Sequence, residues 1–247
     1  MPAGFAAGHR RLLAKISTNH VLTDKIKEIT LGVRGLESVA RIRAGAHITV
    51  HLPQPDGGSA PRIYSIWRQS AGGAQLTIRV LLHPRGGPGT SWARTAQPGD
   101  EVAIGPPQSK LTLDQRAGFH VFLGDENGAV PLLAMRGRLA ADAAVYGAFQ
   151  ALGRDFRVPA PPGVPELPWL DEPHPAMSPP AGFPVLAAAR ALELPAGAGC
   201  VYVAGEANLC KSVLRHFVEE RGWPRAAVRS QPQWLAGRTG FGVGPSR

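Results

Sequence analysis

The chain has 247 residues, 44% of them hydrophobic, with 27 basic against 18 acidic side chains and a net charge of +9. That length allows two modest domains, while no apolar run is long enough to span a bilayer and the N-terminus interleaves charge with apolar residues unlike a secretory signal. The basic excess is spread out, with no run beyond His9-Arg10-Arg11, no zinc-finger spacing and no aromatic–glycine RNA motif, so an anionic small molecule is the expected partner, with no nucleic acid and no stable membrane insertion. In chain order, β-rich or alternating runs at 14–17, 26–33, 47–52, 62–67, 75–82 and 101–104 predict six strands, with turns at GLESVA and PQPDGGSAP. Such a series predicts a small antiparallel β-barrel, with one helix at 89–95. The second half predicts strand 120–123, helix 127–139, strand 144–149, helix 183–192, strand 200–204 and an amphipathic helix 208–221. Strand, turn and helix in repetition predict a smaller α/β domain on a parallel sheet. The Pro-rich stretch 158–182 reads as an ordered but irregular surface excursion. A boundary near 113–118 divides the chain into a barrel domain over 1–114 and an α/β domain over 115–247. Cys200 and Cys210 read as reduced thiols in a buried strand and the helix after it, which fits the cytoplasm.

Two segments of the first half carry chemistry. In Arg62-Ile63-Tyr64-Ser65, strand alternation puts Arg62 and Tyr64 on one face and sends Ile63 to the core. The guanidinium suits a pyrophosphate, the tyrosine ring suits an isoalloxazine, and the Ser65 hydroxyl or N–H suits the reactive ring nitrogen. About twenty residues on, HPRGGPGTSWA (83–93) is a glycine turn entering a helix. Gly86, Gly87 and Gly89 give the turn its backbone freedom, Pro88 stiffens it, Thr90 or Ser91 caps the helix, and its free N–H groups favour an anion. Trp92 packs beneath the turn or stacks on a ring. His83 is the one histidine placed for a flavin contact; His47 and His51 share a strand face in a solvated or packing role, and no metal site is expected. Downstream, Gly124-Asp125-Glu126 and Gly205-Glu206 end strands of the predicted parallel sheet, where ligands of such sheets bind. Neither is a GxGxxG fingerprint.

These segments, in this order, resemble the siderophore-interacting protein family of FAD-dependent ferric-siderophore reductases. Its patterns are R-x-Y-[ST]-x-R, H-G-D-x-G-P-A-S-x-W-A, G-D-E-T-A-x-P, W-x-A-G-E and Y-W-[RK]-x-G. The chain has Arg62, Tyr64 and Ser65 of the first, and His83, Gly87, Pro88, Trp92 and Ala93 of the second with Thr90 at the serine position. It has Gly124, Asp125, Glu126 and Pro131 of the third, and Ala204, Gly205 and Glu206 of the fourth. It departs at Trp67, where the second arginine stands in the pattern, although Arg68 follows. It departs also at Pro84-Arg85, at Asn127 for threonine, and at 233–237, which keeps Trp234 and Gly237 but lacks the tyrosine and the basic residue. The resemblance implies FAD on Arg62, Tyr64, Ser65, His83 and the turn Gly87, Pro88, Gly89, Thr90, Ser91 and Trp92. It implies NADPH or NADH beside Asp125, Glu126, Asn127, Gly205 and Glu206, with ferredoxin as an alternative donor. An anionic ferric siderophore would be drawn by Arg68, Arg85 and Arg238, with Arg229 as a further candidate, and the iron would need no protein ligand. Two other readings stand beside this one: a flavin reductase serving another acceptor, and a non-catalytic flavin- or siderophore-binding protein.

Overall fold

The computed structural model describes residues 11–36, 41–54, 57–172 and 182–237. Strands β1 (Leu12–Thr23), β2 (Ile26–Val33), β3 (His47–Pro53), β4 (Ser59–Gln69), β5 (Gln75–Leu81) and β6 (Glu101–Ile104) close into an antiparallel barrel in the order β1-β2-β5-β4-β3-β6. Alternation along the strands turns Ile29, Leu31, Ile48, Val50, Leu76 and Ile78 into its core. β1 is far longer than the four-residue run expected, because the polar Asn19 stands opposite the core residue Ile29 and interrupts the alternation, while pairing with β2 continues through two bulges. β4 starts inside the segment read as a turn, since Ser59 already pairs with Pro53.

The second half is a five-stranded sheet of β7 (Phe119–Gly124), β8 (Val145–Ala151), β9 (Trp169–Asp171), β10 (Gly199–Glu206) and β11 (Val228–Trp234), in the order β11-β10-β7-β8-β9, all neighbours parallel. Helix α2 (Glu126–Arg136) covers one face, and α3 (Pro184–Ala191) and α4 (Ala207–Arg215) the other, as parallel sheets require. The barrel's helix α1 (Pro88–Thr95) lies before β6. Two strands escape the sequence pattern. β9 lies within the Pro-rich excursion and pairs with Phe149, Gln150 and Ala151. β11, whose centre reads Arg-Ser-Gln-Pro-Gln, is polar and proline-bearing, which an edge strand tolerates. The last helix gives way at His216 to a π turn reaching Glu220. Cys200 and Cys210 are free and buried, on β10 and α4. Among the described residues no helix is long and apolar enough to cross a membrane.

The two layers are locked together. Every residue of α2 except Asn127 is buried, as expected of a helix covered on all sides. Barrel residues Ile26 and Leu81 share a core with its Ala129, Val130 and Leu133. A Cβ on Gly128 would lie 2.0 Å from the Ala204 carbonyl oxygen, so only glycine lets α2 approach β10 this closely. The connecting segment is tied down as well. Arg229 on β11 donates to the Thr112 carbonyl and to Asp114 Oδ2 (2.8 Å), and the Tyr202 hydroxyl accepts from the Asp114 N–H at 2.8 Å.

Candidate active site at the junction of barrel and sheet

On β4, Arg62 and Tyr64 share a face as predicted, but that face turns toward α1. Tyr64 stands opposite the buried Ile48 and packs on the barrel core together with Trp92, ring centroids 6.0 Å apart. Ile63, expected in the core, points outward and is 36% exposed, because its partner Thr49 lies on the outer face of β3. The Tyr64 hydroxyl fits over Gly89, where a Cβ would come within 2.6 Å of it. Burial pushes that phenol well above its ordinary pKa. Ser65, on the outer face with Ile63, is buried and accepts a hydrogen bond of 3.2 Å from Gln233 Nε2 across the junction. The Arg62 guanidinium donates to the Pro61 carbonyl at 2.8 Å and pairs with no carboxylate among the described residues.

The glycine turn is built differently from its expected capping. Gly87 is the N-cap of α1 (φ 109°), and neither Thr90 nor Ser91 caps the helix. The Thr90 hydroxyl instead accepts from the His83 N–H at 3.1 Å and ties the turn to the helix, while Ser91 is exposed. Pro88 occupies the first turn, which holds no acidic residue, so the N-terminal N–H groups remain for an anion. A Cβ on Gly86 or Gly87 would meet nothing within 4 Å, and His83 and Arg85 are exposed beside them. At the other end of α1, Asn19 Nδ2 donates to the Ala93 and Ala96 carbonyls (3.0 and 2.7 Å) and fixes the helix to β1. Asn19 carries no sequence signal. An unpaired guanidinium, an uncapped helix start without acid and an open glycine pair suit a dinucleotide pyrophosphate, with Tyr64 and Ser65 on the same strand for the ring. These residues fit FAD.

The departure at Trp67 is also explained. Its indole lies in the core shared by both domains and carries the Arg79 guanidinium stacked 3.5 Å from the ring centroid. Arg79, from β5, pairs with Glu28 at 3.0 Å and donates to the Pro159 carbonyl. Arg68 is turned to Glu28 (3.4 Å) and Thr77 and is exposed. Arg229 is consumed by the connecting segment rather than left free for an anionic substrate, and Arg238 lies outside the described residues.

On the sheet side, strand order reverses between β7 and β10, the crevice where ligands of open α/β sheets bind. Asp125 fills the back of it. Only 1% exposed, it accepts from the N–H groups of Gly128 (2.8 Å) and Glu206 (2.7 Å) and from the Trp234 indole (2.7 Å). Gly205 (φ 123°) makes room, since a Cβ there would lie 2.3 Å from the Asp125 carboxylate. Glu206 caps α4 through the Leu209 N–H at 2.8 Å and also accepts from Asn208 Nδ2 and the Ala236 N–H. Glu126 is 3% exposed, and its Oε2 has no hydrogen-bond partner among the described residues. Burial, then the neighbouring Asp125 charge, pushes Glu126 up to about 8. Burial lifts Asp125 to about 6 against its three N–H donors, and burial raises Glu172 as well. Asn127 sits partly exposed in the first turn of α2. The N-termini of α2 and α4 are thus closed by the chain's own carboxylates, which favours an uncharged ring in this crevice over phosphates. Gln233, which reaches across to Ser65, and Trp234, which ties β11 to Asp125 within the sheet side, are visible in the sequence only as a partial motif match.

A family model described as "Siderophore-interacting FAD-binding domain" matches residues 56–111, and one described as "Siderophore-interacting protein" matches residues 117–237. Ferric vibriobactin reductase ViuB of Vibrio cholerae is 25% identical over 253 residues, covering 92% of this chain and 90% of that protein. The mycobactin import ATP-binding/permease protein IrtA of Mycolicibacterium thermoresistibile is 28% identical over 79% of this chain, which spans only 21% of that protein's length. The crystal structure of the siderophore-interacting protein SipS from Aeromonas hydrophila is similar at a TM-score of 0.77 and 25% identity, covering 94% of each chain. Motifs, barrel-and-sheet architecture and matches along both halves agree, and the chain belongs to the siderophore-interacting protein family.

Proposed function

We propose that the chain is an FAD-dependent ferric-siderophore reductase driven by NADPH or NADH and working in the cytoplasm, with 1–114 carrying the flavin and 115–247 receiving the nicotinamide. The observation that carries this reading is Arg62, a cation without an acidic partner among the described residues, on the strand that lays Tyr64 over Gly89 and brings Ser65 to the second domain. Arg62 and the N–H groups of α1 hold the pyrophosphate. Tyr64, supported by Trp92, lies against the ring system, and His83 and Arg85 flank the turn. Ser65 meets the polar edge of the ring. Gly205 and the capped carboxylates Asp125 and Glu206 shape a close, phosphate-free approach for the nicotinamide, with Asn127 at its rim. Glu126, buried and raised, holds its proton on the carboxyl group at neutral pH. Bound FAD supplies the conversion of a hydride pair into single electrons. The ferric chelate is the substrate; its hard oxygen donors suit Fe(III) better than Fe(II), so reduction loosens it. Arg68 and Arg85, both exposed, give the anionic chelate a cationic approach.

A second reading, a flavin reductase for another acceptor, is favoured by one observation: Arg229 is committed to Thr112 and Asp114, and Leu235 stands where the family pattern has a basic residue. One experiment tests both. The purified chain is titrated with FAD, then anaerobically with NADPH and NADH, and the reduced protein is mixed with a ferric siderophore under a ferrous-iron trap. The proposal expects FAD binding, bleaching by at least one nicotinamide and reoxidation with Fe(II) appearing. Bleaching without Fe(II) supports the second reading, and absence of FAD binding overturns both.

A further inference from the structure

We propose that Gln233 is a positioning residue whose side-chain amide sets the direction of the Ser65 hydroxyl toward the flavin and reverses when the flavin is reduced. This rests on the flavin reading above. Ser65 is 9% exposed on the outer face of β4, and Gln233 Nε2 donates to its Oγ at 3.2 Å from the end of β11. A serine hydroxyl has one hydrogen to give and lone pairs to accept with. With Gln233 donating to Oγ, the hydroxyl hydrogen is left for another acceptor, and the polar ring edge of an oxidised flavin provides one. After reduction the same ring nitrogen would carry a hydrogen and turn from acceptor to donor. Ser65 Oγ must then accept from it, and the serine hydrogen needs an acceptor on its other side.

A glutamine amide meets both demands, because turning it by about 180° exchanges its NH₂ donor for its carbonyl acceptor. No hydrogen leaves the pair in either state: Ser65 keeps one and Gln233 keeps two. The backbone around Gln233 stays fixed during this exchange. Its neighbour Trp234 is held to Asp125 Oδ2 at 2.7 Å, and the Ala236 N–H points to Glu206. Gln233 stands where the family pattern has tyrosine. A phenol also donates and accepts, so the glutamine keeps that two-way capacity and is a replacement rather than a loss.

The test uses the FAD-loaded full chain and reads the relative affinity for reduced and oxidised FAD, as a midpoint potential by dye equilibration, beside the Kd for oxidised FAD. Gln233→Leu and Ser65→Ala are each expected to change the ratio of affinities about tenfold, or about 30 mV for a two-electron couple. The double variant is expected to go no further than Ser65→Ala alone, since the two act as one unit. Gln233→Tyr is expected to restore the wild-type potential, and it carries the test should the leucine variant fold poorly. Additive shifts, an unchanged potential in Gln233→Leu, or a Gln233→Tyr potential away from that of the wild type each overturn the proposal. A wild-type chain that binds no FAD overturns the underlying flavin reading instead.

Discussion

Replacing Glu126 with glutamine is expected to remove a distinct part of the stability this protein loses as pH rises from about 4.5 to about 8. Glu126 is buried at the start of α2, its Oε2 has no hydrogen-bond partner among the described residues, and it sits beside the hydrogen-bonded carboxylate of Asp125. Its folded pKa is raised from 4.5 to about 8. The folded state therefore holds the proton more tightly than the unfolded chain does between those limits. The sign follows: stability is greatest below about pH 4.5 as far as this group is concerned, falls as pH rises, and levels off above about pH 8. The slope cannot exceed about 1.4 kcal/mol per pH unit for one proton, which caps the loss at about 5 kcal/mol. Asp125 shares the same buried pocket, so about half of that is the working figure. Urea unfolding of wild type and Glu126→Gln at pH 5.5, 7 and 9 measures it. The curves should lie within about 1 kcal/mol of each other at pH 5.5, and the variant should be ahead by about 2 kcal/mol or more at pH 9. A wild-type profile that runs parallel to that of the variant would refute the reasoning.

Other changes address the remaining parts of the site. Trp234→Phe removes the indole donor to Asp125 Oδ2 and should cost about 1–3 kcal/mol in denaturant unfolding; no loss would mean water replaces the indole. Arg62→Ala should weaken FAD binding about a hundredfold by fluorescence titration while leaving the melting temperature within about 2 °C, because the guanidinium's protein contact is one carbonyl. A matching loss of thermal stability would show that Arg62 holds the fold instead. Trp67→Arg, which restores the family pattern, should destabilise rather than repair the protein. It sets a second guanidinium against Arg79 in a shared core and should lower stability by about 2–4 kcal/mol, unless Arg79→Leu is introduced with it.

Much of the architecture could be read from the chain, because apolar alternation and Gly/Asp punctuation track the strands that bury one face. The six barrel strands and the strand–helix repeats around Gly124 and Gly205 were legible for that reason. What escaped lacked such a signature. β11 pairs on one edge with a polar, proline-bearing sequence, and β9 is three residues inside a proline-rich stretch. The site was legible by residue type but not by orientation. Arg62 and Tyr64 share a face and Tyr64 meets Gly89 of the glycine turn, yet Ile63 and Tyr64 exchange their expected surroundings, because α1 covers the face that alternation alone would expose. Thr90 was recognised as important, but its hydroxyl binds His83 rather than capping the helix. The contact that joins the halves, Gln233 to Ser65, and the one that closes the crevice, Trp234 to Asp125, span 168 and 109 residues, a separation over which local pattern carries no information.

Helix α2 is buried everywhere but at Asn127: β10 presses it from one layer and β4 from the other. A part shared this way cannot serve as a hinge. Opening the two halves would strip Val130, Leu133 and Met135 of their cover at once, a penalty of several kcal/mol on every catalytic cycle. Barrel and sheet are therefore held as a fixed frame, and on the proposed function donor and acceptor would meet the flavin without the two halves parting. On the proposed function, such a frame would leave turnover to the exchange of one visitor for the next, with no separation of the two halves.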